Sequence, residues 1–311
     1  MRKNILVIGG TRFFGKLLVQ RLLRAGHQVT IATRGYAPDP FGDRFGDQFA
    51  RVRVDRRNEH AMRNAFRHAS FDIVYDQMCY SPPDAAISVR VFAGKVGRYV
   101  MTSTIDAYRG LAPSDLAFRE DALQVQAQAI DSAYPWHDPA LAIDSYVAGK
   151  VQAEAYLVRD GSLPLATVRL AHVLGGPEDF TGRLAHYVDL VRMRAFLSYT
   201  NAAAKVSFME ASGAADFLVW AGAQAFTGAV NAGDDGALSA LDLHARVARV
   251  LDDVPRAVKV AGPVQPGVLS PFDFVEPLVL DTSRAKALGY RFGHTDEWME
   301  DVIRHHDLAY V

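Results

Sequence analysis

A glycine-rich turn near the amino terminus constrains the fold of this chain more than any other feature. The apolar stretch Asn4–Ile8 predicts a buried strand, and apolar spacing over Phe14–Ala25 predicts a helix soon after it. Gly26 is suited to end that helix, and Gln28–Thr33 predicts a second strand. The turn Gly9–Gly15 therefore lies inside one βαβ unit, in which a crossover helix joins two parallel strands.

The same alternation continues through the first half of the chain. Further short strands are predicted at Val52–Val54, Ile73–Tyr75, Tyr99–Met101 and Ala166–Leu170. Helical spacing separates them near Glu59–His68, Asp84–Val96 and Asp144–Arg159. Strands alternating with helices predict an α/β fold with a doubly wound, mostly parallel sheet of the Rossmann type.

The glycine turn is suited to hold a phosphate group. Free backbone amides and the positive end of a helix meet where a strand runs into a helix, and glycine lets a pyrophosphate approach closely. Arg12 stands at the middle position, where glycine is usual. The turn predicts a dinucleotide site formed by Gly9, Gly10, Thr11, Arg12, Phe13, Phe14 and Gly15. The alternative is a loop that only starts a helix.

The residues at the end of the second strand indicate whether NAD(H) or NADP(H) would bind. An NAD site usually places a carboxylate there for the adenosine ribose, whereas this chain has Thr33 followed by Arg34. Arg34 and Arg12 are both suited to a 2′-phosphate, which favours NADP(H) over NAD(H). Arg34 as a solvated turn residue is the alternative. Asp55, after the third strand, is a candidate for the adenine amine or, equally, for a turn cap.

Tyr146 and Lys150 are the residues most directly tied to chemistry. Four positions apart on a helix, their side chains share one face, and an ammonium group favours the phenolate form of a nearby tyrosine. A carbonyl that accepts hydride must also receive a proton, which such a tyrosine can supply. The same spacing also arises by chance, with Lys150 solvated on an amphipathic helix. The upstream glycine turn favours catalysis.

Composition narrows the remaining function classes. A net charge of −1 gives no general attraction to nucleic acid, and the basic run Arg51, Arg53, Arg56, Arg57, Arg63 and Arg67 is interpreted as a solvated face. Cys79, the only cysteine, excludes an intrachain disulfide and a multi-cysteine zinc site, and we expect it to be an inert buried thiol. The histidines suggest no metal site. We predict a cytoplasmic protein without a signal peptide or a membrane span.

Several segments occur in a characteristic order, namely Gly9–Gly15, Asp55–Arg57, Tyr99–Thr104, Tyr146–Lys150 and Arg169–Pro177. Together they resemble the extended short-chain dehydrogenase/reductase family, also described as the NAD-dependent epimerase/dehydratase family. The turn Gly-Gly-Thr-Arg-Phe-Phe-Gly is most similar to a divergent branch that includes plant chloroplast stem-loop-binding proteins and bacterial proteins described as reductases.

The resemblance implies roles for the matching residues. Tyr146 would be the general acid or base, and Lys150 would lower its pKa and hold the nicotinamide ribose. Thr104 would bind the substrate oxygen through its hydroxyl, with Ser103 as the near alternative. The family also allows a homodimer formed through the helices after the fourth and fifth strands.

Three further residues are candidates for substrate contact. Asp76 follows the fourth strand, where the family has small residues, and is either a pocket residue or a loop cap. His137 lies in the unusually long segment Leu111–Ala142, which is suited to a lid or a substrate-contacting loop. His172 follows the sixth strand, at the carboxyl edge of the sheet, and is either a pocket residue or a structural histidine.

These observations predict two parts and a leading function. A dinucleotide-binding domain is expected over residues 1–172, completed by about 206–232. A smaller, irregular substrate-binding lobe is expected from 173–205 and 233–311. The leading function is an NADP(H)-dependent oxidoreductase acting on a carbonyl or secondary alcohol of a small polar metabolite. The alternatives are a nucleotide-sugar epimerase or dehydratase with tightly bound NAD, and a non-catalytic protein that binds nucleotides or RNA.

Overall fold

A seven-stranded sheet with flanking helices organises the chain, as the computed structural model shows for residues 1–113, 115–176, 178–261 and 269–308. In chain order the strands are β1 (Asn4–Ile8), β2 (Gln28–Thr33), β3 (Phe49–Arg53), β4 (Ile73–Asp76), β5 (Tyr99–Thr104), β6 (Leu165–Leu170), β7 (His172–Leu174), β8 (Leu197–Tyr199), β9 (Phe208–Glu210), β10 (Gly228–Ala232) and β11 (Ala257–Lys259). The helices are α1 (Phe13–Arg24), α2 (Glu59–Ala65), α3 (Pro82–Phe92), α4 (Tyr146–Asp160), α5 (Arg183–Arg192), α6 (Ala211–Ala223), α7 (Ala240–Val250), α8 (Ser283–Ala287) and α9 (Thr295–Leu308).

The order of strands in the main sheet is β10-β6-β5-β4-β1-β2-β3. Every pairing from β6 through β3 is parallel. The predicted doubly wound α/β fold is therefore confirmed. The strand order reverses at β1, whose neighbours are β2 and β4, and such a reversal is where open parallel sheets bind ligands.

Both faces of this sheet are covered, which explains why its inner strands read as continuous apolar runs. On one face, Leu6 and Val74 of the strands pack with Met62, Phe92 and Leu157 from α2, α3 and α4. On the other face α6 approaches β4 very closely. A Cβ on Gly222 would overlap the hydroxyl of Tyr75, so this contact depends on a glycine in α6. An ion pair between Arg21 and Asp216 joins α1 to α6.

The residues fall into two compact units. The first comprises Met1–Ala107, Glu120–Leu170 and Ala215–Val230. The second comprises Tyr108–Arg119, Ala171–Ala214 and Asn231–Val311. Residues 108–119 thus group with the second unit, although the segments before and after them belong to the first.

Hydrogen bonds explain why this short segment belongs to the second unit. The Asn231 side chain accepts from the Tyr108 hydroxyl at 2.7 Å and donates to the Phe118 carbonyl at 2.9 Å. Phe118 also forms an isolated parallel β-bridge with Leu280. The unit has two further parallel strand pairs, β7 with β9 and β8 with β11. No helix among the described residues is both long and apolar enough to span a bilayer.

Candidate active site

The glycine turn has the backbone geometry that an anion site needs. Gly9 and Gly10 have φ values of +108° and +87°, in the left-handed region that favours glycine. Arg12 is the N-cap of α1, and within the described part of the chain its side chain makes no capping hydrogen bond. The first turn of α1 contains no acidic residue. The start of α1 therefore presents a positive helix end without a built-in anion.

Two glycines let α1 pack closely against its surroundings. A Cβ on Gly10 would lie 2.9 Å from Cγ2 of Val19, inside the strand–helix packing. A Cβ on Gly15 would overlap the side-chain oxygen of Gln77. The turn therefore fits a dinucleotide phosphate in shape and in electrostatics, and the Gln77 side chain lies directly against it.

Arginines surround the carboxyl ends of β2 and β3. Arg51 donates from Nε to the Thr33 hydroxyl at 3.3 Å, and Arg53 donates to the Arg34 carbonyl at 3.1 Å. Arg34 itself is exposed, with its guanidinium carbon 5.1 Å from the ring centre of Tyr36. The side chain that follows β2 thus carries positive charge, where NAD sites usually have a carboxylate.

Asp55 and Arg12, the other predicted adenosine-side residues, are also exposed. Asp55 accepts the Arg57 backbone N–H at 3.0 Å through Oδ1 and the Asn58 backbone N–H at 3.0 Å through its carbonyl. One of its carboxylate oxygens is therefore used in the turn that leads into α2.

Lys150 is buried beneath the start of α4. Tyr146 is the first residue of this helix, and Lys150, one turn later, is only 2% exposed. Its Nζ donates to the Thr102 carbonyl at 2.8 Å and lies 4.2 Å from the ring centre of Tyr80. Burial lowers the pKa of Lys150 from its ordinary 10.5 to about 8. The lysine of the predicted pair is thus a fixed interior cation.

Tyr80 links the two members of the pair. Its ring centre lies 5.9 Å from that of Tyr146 and beneath the Lys150 ammonium. Burial raises the pKa of the Tyr80 phenol, so this side chain stays neutral and meets the cation through its ring face. Sequence reasoning did not select Tyr80. The only sequence signal that could have indicated Tyr80 is its position shortly after β4, the strand that ends beside the glycine turn.

Thr104 ends β5, two residues beyond the carbonyl that holds Lys150. Its hydroxyl donates to Asp106 at 3.1 Å and accepts the Asp106 backbone N–H at 3.2 Å. Two residues along a strand span roughly 6–7 Å, so the backbone of Thr104 lies about that far along β5 from the residue whose carbonyl holds Lys150. The neighbouring Ser103 is also buried. Tyr146, Lys150 and Thr104 therefore come from α4 and β5 within the first unit.

Asp76 lies in the core rather than at a pocket. It forms an ion pair with Arg56 and accepts hydrogen bonds from the Tyr99 hydroxyl at 2.6 Å and the Ser88 hydroxyl at 3.1 Å. Arg56 also pairs with Asp84 at 2.9 Å. Because burial alone would lower the pKa of Arg56, the charges of Asp76 and Asp84 are what hold it well above the ordinary value.

This cluster corrects the interpretation of the basic run. Arg56 is only 7% exposed, so the prediction that all six arginines form a solvated face is wrong for this residue. Cys79 is fully buried close to the same cluster, and burial raises the pKa of its thiol. Such a thiol is a poor nucleophile.

The two candidate histidines occupy different units. His137 lies 3.3 Å from Asp84 and lines a surface cavity of ≈ 280 Å³ with Tyr134 and Trp136. Although burial opposes it, hydrogen bonding to His137 and the charge of Arg56 keep the pKa of Asp84 well below its usual range.

His172 is buried in the second unit. Its ring stacks on Phe274 with the ring centres 5.5 Å apart and an interplanar angle of 16°, and Nη1 of Arg183 lies 3.4 Å from its Nδ1. It packs as part of an aromatic cluster. Pro177, the end of the predicted motif that begins at Arg169, lies outside the described residues. In the described part of the chain, no group of three His, Cys, Asp or Glu side chains could hold a metal ion.

Comparisons with known proteins agree with this geometry. The sequence model of the NAD dependent epimerase/dehydratase family matches residues 5–88. A chloroplast stem-loop binding protein of 41 kDa from Arabidopsis thaliana is 36% identical over 84 residues, which cover 24% of this chain and 22% of that protein. The 2′-dehydrokanamycin reductase of Streptomyces kanamyceticus is 35% identical over 106 residues, which cover 33% of this chain and 28% of that protein. The matched segments thus span under a third of either relative.

Structural similarity extends over the whole chain. The UDP-glucose 4-epimerase of Thermus thermophilus, solved with NAD, superposes with a TM-score of 0.71 at 19% identity and covers 99% of both chains. At that identity the match establishes the fold. Residues 5–88 thus carry the sequence pattern of the NAD dependent epimerase/dehydratase family, and the chain as a whole has the fold of a solved epimerase, which confirms the resemblance predicted from the sequence.

Proposed function

We propose that this protein is an NADP(H)-dependent oxidoreductase that interconverts a carbonyl and a secondary alcohol on a small polar metabolite. The observation that carries the proposal is the buried Lys150, held at 2.8 Å by the Thr102 carbonyl one helical turn from Tyr146. A buried cation is costly unless its surroundings are arranged for it. The alternative interpretation of the sequence was a solvated lysine on an amphipathic helix. The ammonium group of such a lysine would not be enclosed in this way.

The proposed chemistry divides between the coenzyme and the chain. A nicotinamide coenzyme held at the glycine turn would supply the hydride for the substrate carbon, or accept it in the oxidative direction. The Tyr146 phenol gives its proton to the carbonyl oxygen as hydride arrives, and the Lys150 ammonium stabilises the phenolate that remains. Thr104 donates its hydroxyl to the same substrate oxygen. Solvent then returns a proton to Tyr146. In the oxidative direction Tyr146 acts as the base.

The cofactor preference rests on the end of β2. Arg34 is exposed there, and Arg12 is exposed at the start of α1, so two cations are available to a 2′-phosphate. The 35% identity over 106 residues to the 2′-dehydrokanamycin reductase of Streptomyces kanamyceticus supports net reduction. We therefore favour NADPH as the coenzyme, with NADH as the weaker ligand.

A nucleotide-sugar epimerase or dehydratase is the second candidate. It is supported by the full-length structural match to a UDP-glucose 4-epimerase solved with NAD. The same tyrosine and lysine serve both reactions, because an epimerase oxidises its substrate transiently and returns the hydride. The two candidates differ in how the coenzyme is held, since an epimerase keeps it bound through the cycle.

Coenzyme retention and titration together test the proposal. We expect the purified protein to carry less than stoichiometric coenzyme and to bind added NADPH more tightly than NADH, as followed by nicotinamide fluorescence. Stoichiometric NAD in the purified protein would favour the epimerase. If the protein bound neither coenzyme and retained RNA instead, the non-catalytic alternative suggested by the stem-loop-binding relative would replace both.

A further inference from the structure

Tyr80 is an aromatic residue beside Tyr146 and Lys150 that the proposed chemistry does not use. It lies shortly after the end of β4, and its ring makes two contacts at once. The Lys150 Nζ lies 4.2 Å from the ring centre, and the ring centre of Tyr146 lies 5.9 Å from it. One side chain from outside the proposed catalytic pair is therefore in contact with both of its members.

The face of this ring takes the place of hydrogen bonds to the Lys150 ammonium. An ammonium group has three N–H donors, whereas in the described part of the chain the Thr102 carbonyl is the one hydrogen-bond acceptor of Nζ. Lys150 is 2% exposed, so little water can reach it. An aromatic face attracts a cation most strongly where water is excluded. The Tyr80 ring thus stabilises this buried charge at short range.

The charged groups around Lys150 do not make this contact redundant. Burial lowers the pKa of Lys150 to about 8, and the surrounding charges only partly offset that effect. Asp76 and Asp84 favour the ammonium, as a thiolate at Cys79 would, whereas Arg56 opposes it. Both carboxylates are already paired with Arg56. Lys150 therefore keeps its proton by a narrow margin near neutral pH, and an added attraction decides how wide that margin is.

Contacts on several sides fix Tyr80 in this place. Its backbone N–H donates to the buried carboxylate of Asp84 at 2.9 Å, and its hydroxyl donates to the Met78 sulfur at 3.7 Å. Its carbonyl lies so close to α4 that a Cβ on Gly149 would overlap it. The glycine directly before Lys150 thus lets the helix approach Tyr80. The ring is held over the ammonium by the protein itself, without a contribution from a ligand.

We propose that Tyr80 is a positioning residue of the active site, whose ring face keeps the Lys150 ammonium charged and in place beside Tyr146. This inference rests on the proposed function, because Tyr80 acts through the lysine that serves the proton-donating tyrosine. The negative charge of the ring face carries this role, and the hydroxyl does not.

Ring fluorination tests this role without opening the site to water. Tyr80→Phe removes the hydroxyl and keeps the ring face, and a trifluorinated phenylalanine at the same position keeps the ring but withdraws negative charge from its face. We expect Lys150 to bind its proton as tightly in Tyr80→Phe as in the wild type, and about tenfold less tightly in the fluorinated protein. NMR of the Lys150 ε-carbon against pH, assigned by its loss in Lys150→Met, measures this without coenzyme.

A matched control and a second readout separate this role from a general disturbance of the fold. The same fluorinated residue in place of Tyr156, further along α4, should leave the titration of Lys150 unchanged. The Tyr146 phenol should lose its proton at a higher pH in the fluorinated Tyr80 protein than in Tyr80→Phe, because a neutral lysine no longer supports the phenolate.

Two results would overturn the assignment. Equal titration of Lys150 in Tyr80→Phe and in the fluorinated protein would show that the ring face does not hold the charge. A loss of proton affinity of the same size already in Tyr80→Phe would assign the effect to the hydroxyl. Either result leaves the proposed function intact, since coenzyme binding tests that separately. If the wild type bound neither NADPH nor NADH, the proposed function would fail, and the catalytic role of Tyr80 with it, even if Lys150 titrated as expected.

Discussion

The two ends of the candidate coenzyme site are built in different ways. At the end that would hold the nicotinamide, Lys150 and Thr104 are 2% and 7% exposed, and each has a fixed hydrogen-bond partner. At the end that would hold the adenosine, Arg34 and Arg12 are exposed to solvent. One end uses enclosed groups with hydrogen-bond partners, whereas the other uses charges that are exposed to solvent.

This difference shows which interactions each task requires. Proton transfer needs groups held within a few tenths of an ångström, and burial among fixed partners supplies that precision. Selection between coenzymes needs only attraction or repulsion of one phosphate, which an exposed guanidinium can supply. Exposed charges contribute modestly and are screened by salt. Changes at the buried end should therefore have large effects, and changes at the exposed end small ones.

The largest expected effect is the loss of the buried cation Arg56. In Arg56→Met the carboxylates of Asp76 and Asp84 stay in the core without their positive partner, which lowers the free energy of unfolding by about 3–5 kcal/mol. Denaturant unfolding measures this. Arg63→Met, at a 61% exposed arginine of α2, is the control and should change stability by less than about 0.5 kcal/mol. Equal effects in both variants would show that the buried ion pairs of Arg56 contribute no more to stability than an exposed arginine does.

The next effect concerns catalysis at Tyr146. We expect Tyr146→Phe to lower kcat by about 100-fold or more, near 2.7 kcal/mol in activation free energy, because the proton donor is lost. Coenzyme affinity should stay unchanged. Tyr156→Phe, on the same helix, is the control and should keep wild-type kcat. Full activity in Tyr146→Phe would remove the tyrosine from the mechanism.

The pH dependence of stability tests the burial of Lys150. Because burial lowers the pKa of Lys150 to about 8, its penalty is fully present below pH 8. The unfolded chain binds the proton up to about pH 10.5, so the penalty is released as pH rises between the two values. From pH 7.5 to 9.5, the unfolding free energy of the wild type should rise by about 2 kcal/mol relative to Lys150→Met.

Comparing the two proteins removes the contribution of groups that titrate alike in both. Chemical denaturation at the two pH values gives the required difference. A constant gap would mean that Lys150 keeps its ordinary pKa in the folded protein. The predicted difference between a buried and an exposed end of the site would then not hold for Lys150, the most buried of the residues compared.

Local patterns predicted the framework of the fold well. β1 and β2 have the predicted bounds, because apolar residues dominate the middle of each and a glycine lies nearby, Gly9 directly after β1 and Gly26 two residues before β2. The predicted start of α3, Asp84, is two residues late, because the helix begins at Pro82. Ser81 is in fact its N-cap and accepts the Asp84 backbone N–H, and prolines in the first turn suit that position.

Contacts between distant residues could not be read from local patterns. The burial of Arg56 depends on Asp76, 20 residues away, and on Asp84 in another helix, so its sequence neighbours suggested a solvated face. The role of Tyr80 likewise depends on Lys150, 70 positions later. In both cases the signal is a three-dimensional pairing that one sequence does not display.

The smallest expected effect tests the exposed end of the site. In Arg34→Ser, NADPH should bind about three- to tenfold more weakly and NADH should be unaffected, since only the 2′-phosphate loses a partner. Raising the salt concentration should shrink the gap between this variant and the wild type, because an exposed charge is screened. Arg24→Ser, at an exposed arginine ending α1, controls for net charge and should leave both affinities unchanged. An equal loss for NADH and NADPH would instead mean that Arg34 contacts the part of the coenzyme that both share, so that the exposed end would serve coenzyme binding rather than selection.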